Sequence, residues 1–179
     1  QKQLESQLIQ LAERDPLTNL YNRRRFHEEL ERIIADASRR RTQAGLLAID
    51  LDGFKPINDE FGHQAGDAVL IRLAEEVGSI VRRNEIFFRI GGDEFAILAP
   101  DADQEEMVGL ARRVGARISG MNFLFAGREV RLTASLGIAL YPKHAASGEE
   151  IIARADSAMY QAKMSGKNRY AVYGEAKLH

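Results

Sequence analysis

Ile86-Phe87-Phe88-Arg89-Ile90-Gly91-Gly92-Asp93-Glu94-Phe95-Ala96-Ile97-Leu98 sets two glycines and two acids between apolar runs. A Gly-Gly pair between strand-like segments predicts a hairpin, because glycine accepts the positive φ of a tight turn. Strands joined by so short a turn are antiparallel. The turn lifts Asp93 and Glu94 to the rim of a sheet, and the bare glycine backbone leaves room for something bulky beside it. Carboxylates at such a rim suit a divalent cation, and a cation suits polyphosphate.

Upstream of the hairpin, Ala44 to Asp50 is a continuous apolar run, read as a strand buried on both faces. Helices are expected over about 23–40, with Phe26, Leu30, Ile33, Ile34 and Ala37 on one face, and over about 67–81, 104–119 and 148–164. Strands are expected near 86–91, 94–99, 122–126, 130–141 and 168–173. Leu4, Leu8 and Leu11 recur at four-then-three spacing, an a/d seam that Asp15-Pro16 terminates. That helix either lies on the domain or forms the tail of a coiled coil. The alternation predicts an α/β layered fold with a mixed sheet. The expected organisation is a linker or coiled-coil helix over 1–14, one domain over 15–174 and a tail over 175–179.

The chain has 179 residues, 45% hydrophobic and 28% charged, which is enough for one domain with a real core. No apolar run is long enough to span a bilayer. A net charge of −1 gives no global field toward nucleic acid or an anionic membrane, so basic residues must act locally. Cysteine is absent, excluding disulfides and thiolate metal sites and fitting a reducing compartment; the four histidines are too scattered for a zinc motif. A start at Gln1 rather than Met is expected of a fragment of a longer protein.

Asp50-Leu51-Asp52-Gly53-Phe54 ends the first strand, where carboxylates enter the crevice in which α/β sheets bind ligands. Alone, Asp50 and Asp52 read more readily as caps of a following helix. The second acidic cluster at Asp93-Glu94 shifts the balance, because converging carboxylates repel unless a cation lies between them. Mg²⁺ takes oxygen ligands and binds through one or two carboxylates plus substrate phosphates. No Walker loop is present, so a nucleotide needs another cradle. Lys55, Lys163 and Lys167 suit phosphates, though surface lysines are commonly just solvated. Asn58 and Asp67 carry groups able to pair with guanine.

These residues fall into motifs that resemble the GGDEF domains, the diguanylate cyclases that join two GTP into cyclic di-GMP. Asp15 to Arg24 (DPLTNLYNRR) is similar to the family's opening DPLTGLxNRR, and Asp50 to Asp59 (DLDGFKPIND) to DxDxFKxxND. Phe61 to Asp67 (FGHQAGD) resembles FGHxxGD, Gly91 to Phe95 is the signature itself, and Ala155 to Lys163 (ADSAMYQAK) resembles ADxAxYxAK.

The resemblance implies a central mixed five-stranded sheet flanked by helices, like the palm of nucleotidyl cyclases and polymerases, with an N-terminal signalling helix. It implies Asp50 and Asp93 as Mg²⁺ ligands, helped by the Leu51 carbonyl. Glu94 would sit beside the metals and assist deprotonation of the attacking 3′-hydroxyl. Two Mg²⁺, or Mn²⁺ in their place, would serve each half-site. Asn58 and Asp67 would read guanine; Lys163 and Lys167, with backbone amides near Phe54 and Lys55, would hold the triphosphate; Gly92 would let the backbone pass close to the nucleotide. One domain presents one GTP, so a homodimer of facing domains is implied, governed by an upstream sensor. A cytoplasmic setting is expected for the domain, whether or not its parent is membrane-anchored, with no nucleic-acid partner. The alternative is a catalytically weak member that binds GTP or cyclic di-GMP without turnover.

Many family members bind product at R-x-x-D. Here the aligned stretch is Arg82-Arg83-Asn84-Glu85, with Glu for Asp, and Arg113 could add a phosphate contact. The extra methylene is expected to weaken product binding; the plain reading is a solvated helix-end pair of Arg82 with Glu85. Lys167 stands where Arg is usual and lacks the bidentate fork. Asn19 replaces the usual Gly in the opening motif and tolerates left-handed backbone.

Overall fold

The computed structural model describes residues 2–175, without the side chains of Gln10 and Leu11. Six helices and seven strands follow in the order α1 (Lys2–Glu13), α2 (Arg23–Arg40), β1 (Ala44–Asp52), α3 (Phe54–Phe61), α4 (His63–Gly78), β2 (Ile86–Gly91), β3 (Glu94–Pro100), α5 (Gln104–Ser119), β4 (Asn122–Phe125), β5 (Arg128–Arg131), β6 (Thr133–Tyr141), α6 (Gly148–Met164) and β7 (Arg169–Val172).

Five strands form one sheet in the order β2-β3-β1-β6-β7, and β4 with β5 forms a separate hairpin. β1 is central and antiparallel to both neighbours; only β6 and β7 pair in parallel. Side-chain parity along β1 explains why it is apolar throughout. Leu47, Ile49 and Leu51 face a core closed by Val69, Leu73 and Val77 of α4 and Met107, Leu110 and Val114 of α5. Ala44, Leu46 and Ala48 face the opposite core, with Phe26, Leu30 and Ile33 of α2 and Ile151 and Ala155 of α6. Asp50 and Asp52 share that second parity, which turns them toward the α6 side.

Helix ends follow local chemistry. Asn22 caps α2 by accepting from the Arg25 amide at 3.0 Å. Asp103 and Glu106 form a reciprocal capping box on α5, and Ser147 caps α6.

Two segments differ from the sequence reading. The sequence reading has no helix over 54–61, a stretch that contains Pro56. Pro56 instead occupies the first turn of α3, where a missing N–H leaves no hydrogen bond unmade, and Gly62 (φ 90°) separates α3 from α4. That break also lets α4 begin at His63 rather than near Asp67. The single strand expected over 130–141 is divided at Leu132, which turns into the core at 1% exposure.

Among the described side chains of α1, the leucines do not rest on the domain: Leu4 is 56% and Leu8 58% exposed. The described contacts that hold the helix are at its end, where Glu13 pairs with Arg25 at 2.7 Å and Asn22 donates to the Ala12 carbonyl. Leu11 of the expected seam lies outside the described side chains, as do residues 176–179 of the expected tail. Among the described residues no helix is long and apolar enough to cross a membrane.

Candidate active site

The β1–β3 register sets Asp50 directly opposite Glu94, and the Leu51 amide donates to the Asp93 carbonyl at 3.2 Å. The two acidic segments, more than forty residues apart in sequence, thus meet at one sheet edge. Gly92 takes φ 49° in the turn, where an L side chain is strained. An added Cβ there would meet nothing within 4 Å, so backbone conformation rather than space demands the glycine.

The carboxylates repel one another. Burial, and then the charge of Asp50, push the Asp93 pKa above the usual carboxylate range. Burial raises Glu94 as well, followed by the charges of Asp50, Asp156 and Asp93, with Arg23 opposing. Asp156 on α6 is raised by burial against the pull of Arg23. Glu94, Asp156, Arg23 and His27 line one small cavity of about 120 Å³ between α2, α6 and the sheet.

Lys163 supplies a cation to this cluster: its Nζ donates to Asp50 Oδ2. Burial works to lower the Lys163 pKa, but the hydrogen bond and charge of Asp50 outweigh it and hold the ammonium above the ordinary lysine value. Among the described residues no group of three or more His, Cys, Asp or Glu side chains is arranged to hold a metal. The donor set fits Mg²⁺ nonetheless. Asp50 and Asp93 provide two mutually repelling oxygen donors beside a main-chain carbonyl, and Mg²⁺ completes its shell with water and phosphate.

The phosphate and base positions lie on the helices that follow β1. Gly53 precedes α3 at φ 79° with no side-chain cap, so the amides of Phe54 and Lys55 at its first turn are not taken by a capping side chain. Phe54 is buried and Lys55 exposed. Asn58 is pressed against α4 at Gly66, where a Cβ would come within 1.8 Å of Asn58 Oδ1. Asp67, the next residue, is exposed beside it. Lys167 is exposed in the turn after α6, at φ 64°.

Asp52 neither caps α3 nor joins the acidic cluster. It is buried and accepts from Thr133 Oγ1 and Ser135 Oγ, both at 2.8 Å, and from the Asn168 amide at 3.0 Å. The capping reading of Asp50 and Asp52 is therefore replaced: one faces Lys163, the other ties β1 to β6 and to the turn before β7.

Asp15, which opens the DPLTNLYNRR motif, and Arg89, just before the glycine turn, have no site role in the sequence reading, yet the structure ties them together. Arg89 donates to the Gly92 carbonyl through Nε (3.2 Å) and Nη2 (2.9 Å), and through Nη1 to both Asp15 oxygens (3.0 and 3.1 Å). Asp15 also accepts from the Thr18 amide and hydroxyl. The one basic residue in a strand of Ile and Phe was the available signal. Burial raises the Asp15 pKa, but the Thr18 hydrogen bonds and Arg89 more than reverse it, leaving it lowered. A carboxylate depressed by folding stabilises the protein above its unfolded pKa, about 3.9, and that stability is lost as pH falls through the folded value. Asp15→Asn should therefore lose less melting temperature than the parent between pH 5 and the acid limit. Parallel acid profiles of the two proteins would reject this assignment.

The Arg82, Glu85 and Arg113 group is a separate place, at the far end of β2 and roughly 20 Å of strand from the glycine turn. Glu85 pairs with Arg113 Nη2 at 3.1 Å and accepts from the Arg82 amide at 2.7 Å, while Arg113 Nη1 donates to the Ile80 carbonyl at 2.8 Å. Only 8% of the Glu85 side chain is exposed. The expected solvated Arg82–Glu85 pair is thus corrected: Arg113 is the partner, because α5 packs beside α4 and brings Arg113 to the loop between α4 and β2.

The family described as "Diguanylate cyclase, GGDEF domain" matches residues 12–169. The bifunctional diguanylate cyclase/cyclic di-GMP phosphodiesterase MucR of Pseudomonas aeruginosa is 41% identical over 167 residues, covering 93% of this chain and 24% of MucR. Diguanylate cyclase TpbB of the same species is 39% identical over 174 residues, covering 96% of this chain and 40% of TpbB. The chain thus spans less than half of these curated relatives. The crystal structure of the coiled coil and GGDEF domain of DgcB from Caulobacter crescentus, in complex with c-di-GMP, superposes with a TM-score of 0.89 at 30% identity, covering 96% of this chain and 91% of that one. The GGDEF domain of TpbB (YfiN) gives 0.84 at 37% identity, covering 89% and 94%.

Proposed function

Because the chain belongs to the GGDEF domain family, we propose that it is a diguanylate cyclase domain, condensing two GTP into cyclic di-GMP with release of two pyrophosphates. The observation that carries this reading is the β1–β3 register, which sets Asp50 opposite Glu94 with Asp93 hydrogen-bonded to Leu51. The catalytic unit is 15–174, with the 1–14 helix leading in from an upstream sensor.

Asp50, Asp93 and the Leu51 carbonyl would hold Mg²⁺. The metal, when bound, supplies charge neutralisation at the phosphates and acidifies the 3′-hydroxyl. The remaining work falls to the chain. Asn58 and Asp67 grip the guanine edge, and the Phe54 and Lys55 amides meet phosphate at the α3 N-terminus. Lys163, now paired with Asp50, can be handed to a phosphate oxygen within the same cluster, and Lys167 adds charge beside it. Glu94 takes the proton as the 3′-oxygen attacks the α-phosphorus in line and the bond to pyrophosphate breaks. Ring closure requires the same step from a facing domain, so mutual orientation in a homodimer dominates the barrier. The exposed Leu4 and Leu8 suit helix pairing that would set that orientation.

Incubating the purified chain with GTP and Mg²⁺ should yield cyclic di-GMP by chromatography, with specific activity rising with protein concentration. Calorimetric titration of cyclic di-GMP into the parent and into Arg82→Ala tests the Arg82, Glu85 and Arg113 site, and equal binding by both proteins removes it. GTP bound but never converted would leave a binding module and end the cyclase reading.

A further inference from the structure

The β4–β5 hairpin stands outside the five-stranded sheet, yet it grips both helices that carry the base-reading pair. On the α3 side, Phe125 packs against Phe61 with ring centroids 5.5 Å apart and stacks on Phe123 at 5.9 Å. Arg128 lies 4.9 Å over the Phe61 ring and pairs with Glu60. On the α4 side, Arg72 donates to the Asn122 carbonyl and lies 4.9 Å over Phe123. Phe123 at one end of the hairpin and Leu132 just after it are buried in the core, so the grip is anchored.

α3 has only eight residues. A helix of two turns has little stability of its own, and its axis lies where its neighbours put it. Phe61 is one turn beyond Asn58, so the two share a face, and whatever holds the Phe61 ring fixes the direction of Asn58. Arg128 and Glu60 are both more than half exposed, so their ion pair contributes little. The guanidinium acts chiefly by covering the Phe61 ring.

We propose that this hairpin is a brace for base recognition. Phe125 and Arg128 are positioning residues that hold α3 against α4 at the spacing where Asn58 and Asp67 contact one guanine edge together. The inference rests on the GTP reading above and adds a specificity element to it. Inosine nucleotides lack the exocyclic amine of guanine and need only part of that paired contact. A loosened brace therefore penalises GTP more than ITP, whereas general destabilisation would affect both alike.

The test is equilibrium binding of GTP and of ITP, with Mg²⁺, to the whole chain and to Phe125→Ala, Phe125→Leu and Arg128→Ala. GTP affinity should fall about tenfold in Phe125→Ala and about threefold in Arg128→Ala. ITP affinity should change less than about twofold, and Phe125→Leu should recover part of the loss. If Phe125→Ala does not fold, the surface variant Arg128→Ala decides. Parallel losses for both nucleotides, or none, beside a parent that prefers GTP would overturn the brace and leave the guanine assignment standing. A parent without preference for GTP over ITP would remove the guanine assignment and the brace with it.

Discussion

Asp50→Asn should lower cyclic di-GMP formation by about a thousandfold or more while the domain stays folded. Asn keeps the shape but removes the negative charge at the end of β1, which faces Glu94 across the sheet and accepts from Lys163. Two changes in stability oppose each other. The Lys163 ammonium loses its carboxylate, but Asp93 and Glu94 lose the neighbour whose charge helps raise both their pKa values. The melting temperature should therefore move by only a few degrees, about 5 °C at most. Activity is read by chromatography of GTP reactions and stability by thermal unfolding. Turnover within about tenfold of the parent would refute the assignment of Asp50 to the reaction.

Asp52→Ala, two residues away, should do the reverse and act on the fold. Its carboxylate accepts from two hydroxyls and one main-chain amide in a buried site. Truncation strands the Thr133, Ser135 and Asn168 donors, at a cost of about 3–5 kcal/mol. For a domain of this size that lowers the melting temperature by about 6–20 °C. Asp52→Asn should be milder, since one amide oxygen still accepts while its NH₂ faces donors. Activity would fall too, because Asn168 follows the turn carrying Lys167, but the thermal shift sets this position apart from Asp50. A shift under about 2 °C would show that the three donors find other partners.

The elements with strong periodicity are legible in the sequence: α2, α5 and α6, the β2–β3 hairpin and the buried β1 all lie where apolar spacing and the glycine turn put them. α3 is not, since eight residues carry too little apolar spacing to mark a helix, and only the structure shows Pro56 in its first turn and Gly62 at the junction with α4. The division at Leu132 was equally hidden, because an apolar residue looks the same inside a strand and at a corner turning into the core.

The site divides along a similar line. Sequence alone determined which residue types were at hand: acids ending an apolar strand, acids in a glycine turn, and amide, carboxylate and lysine groups in family order. Those follow from local chemistry, which the chain carries at every position. Tertiary structure decided what each group does. The antiparallel register brought Asp50 to Glu94, helix α6 laid Lys163 on one aspartate of the DLD triplet while β6 claimed the other, and Arg89 joined the opening loop to the glycine turn. Such roles depend on partners supplied by segments remote in sequence, and only the packed sheet and its helices specify who those partners are.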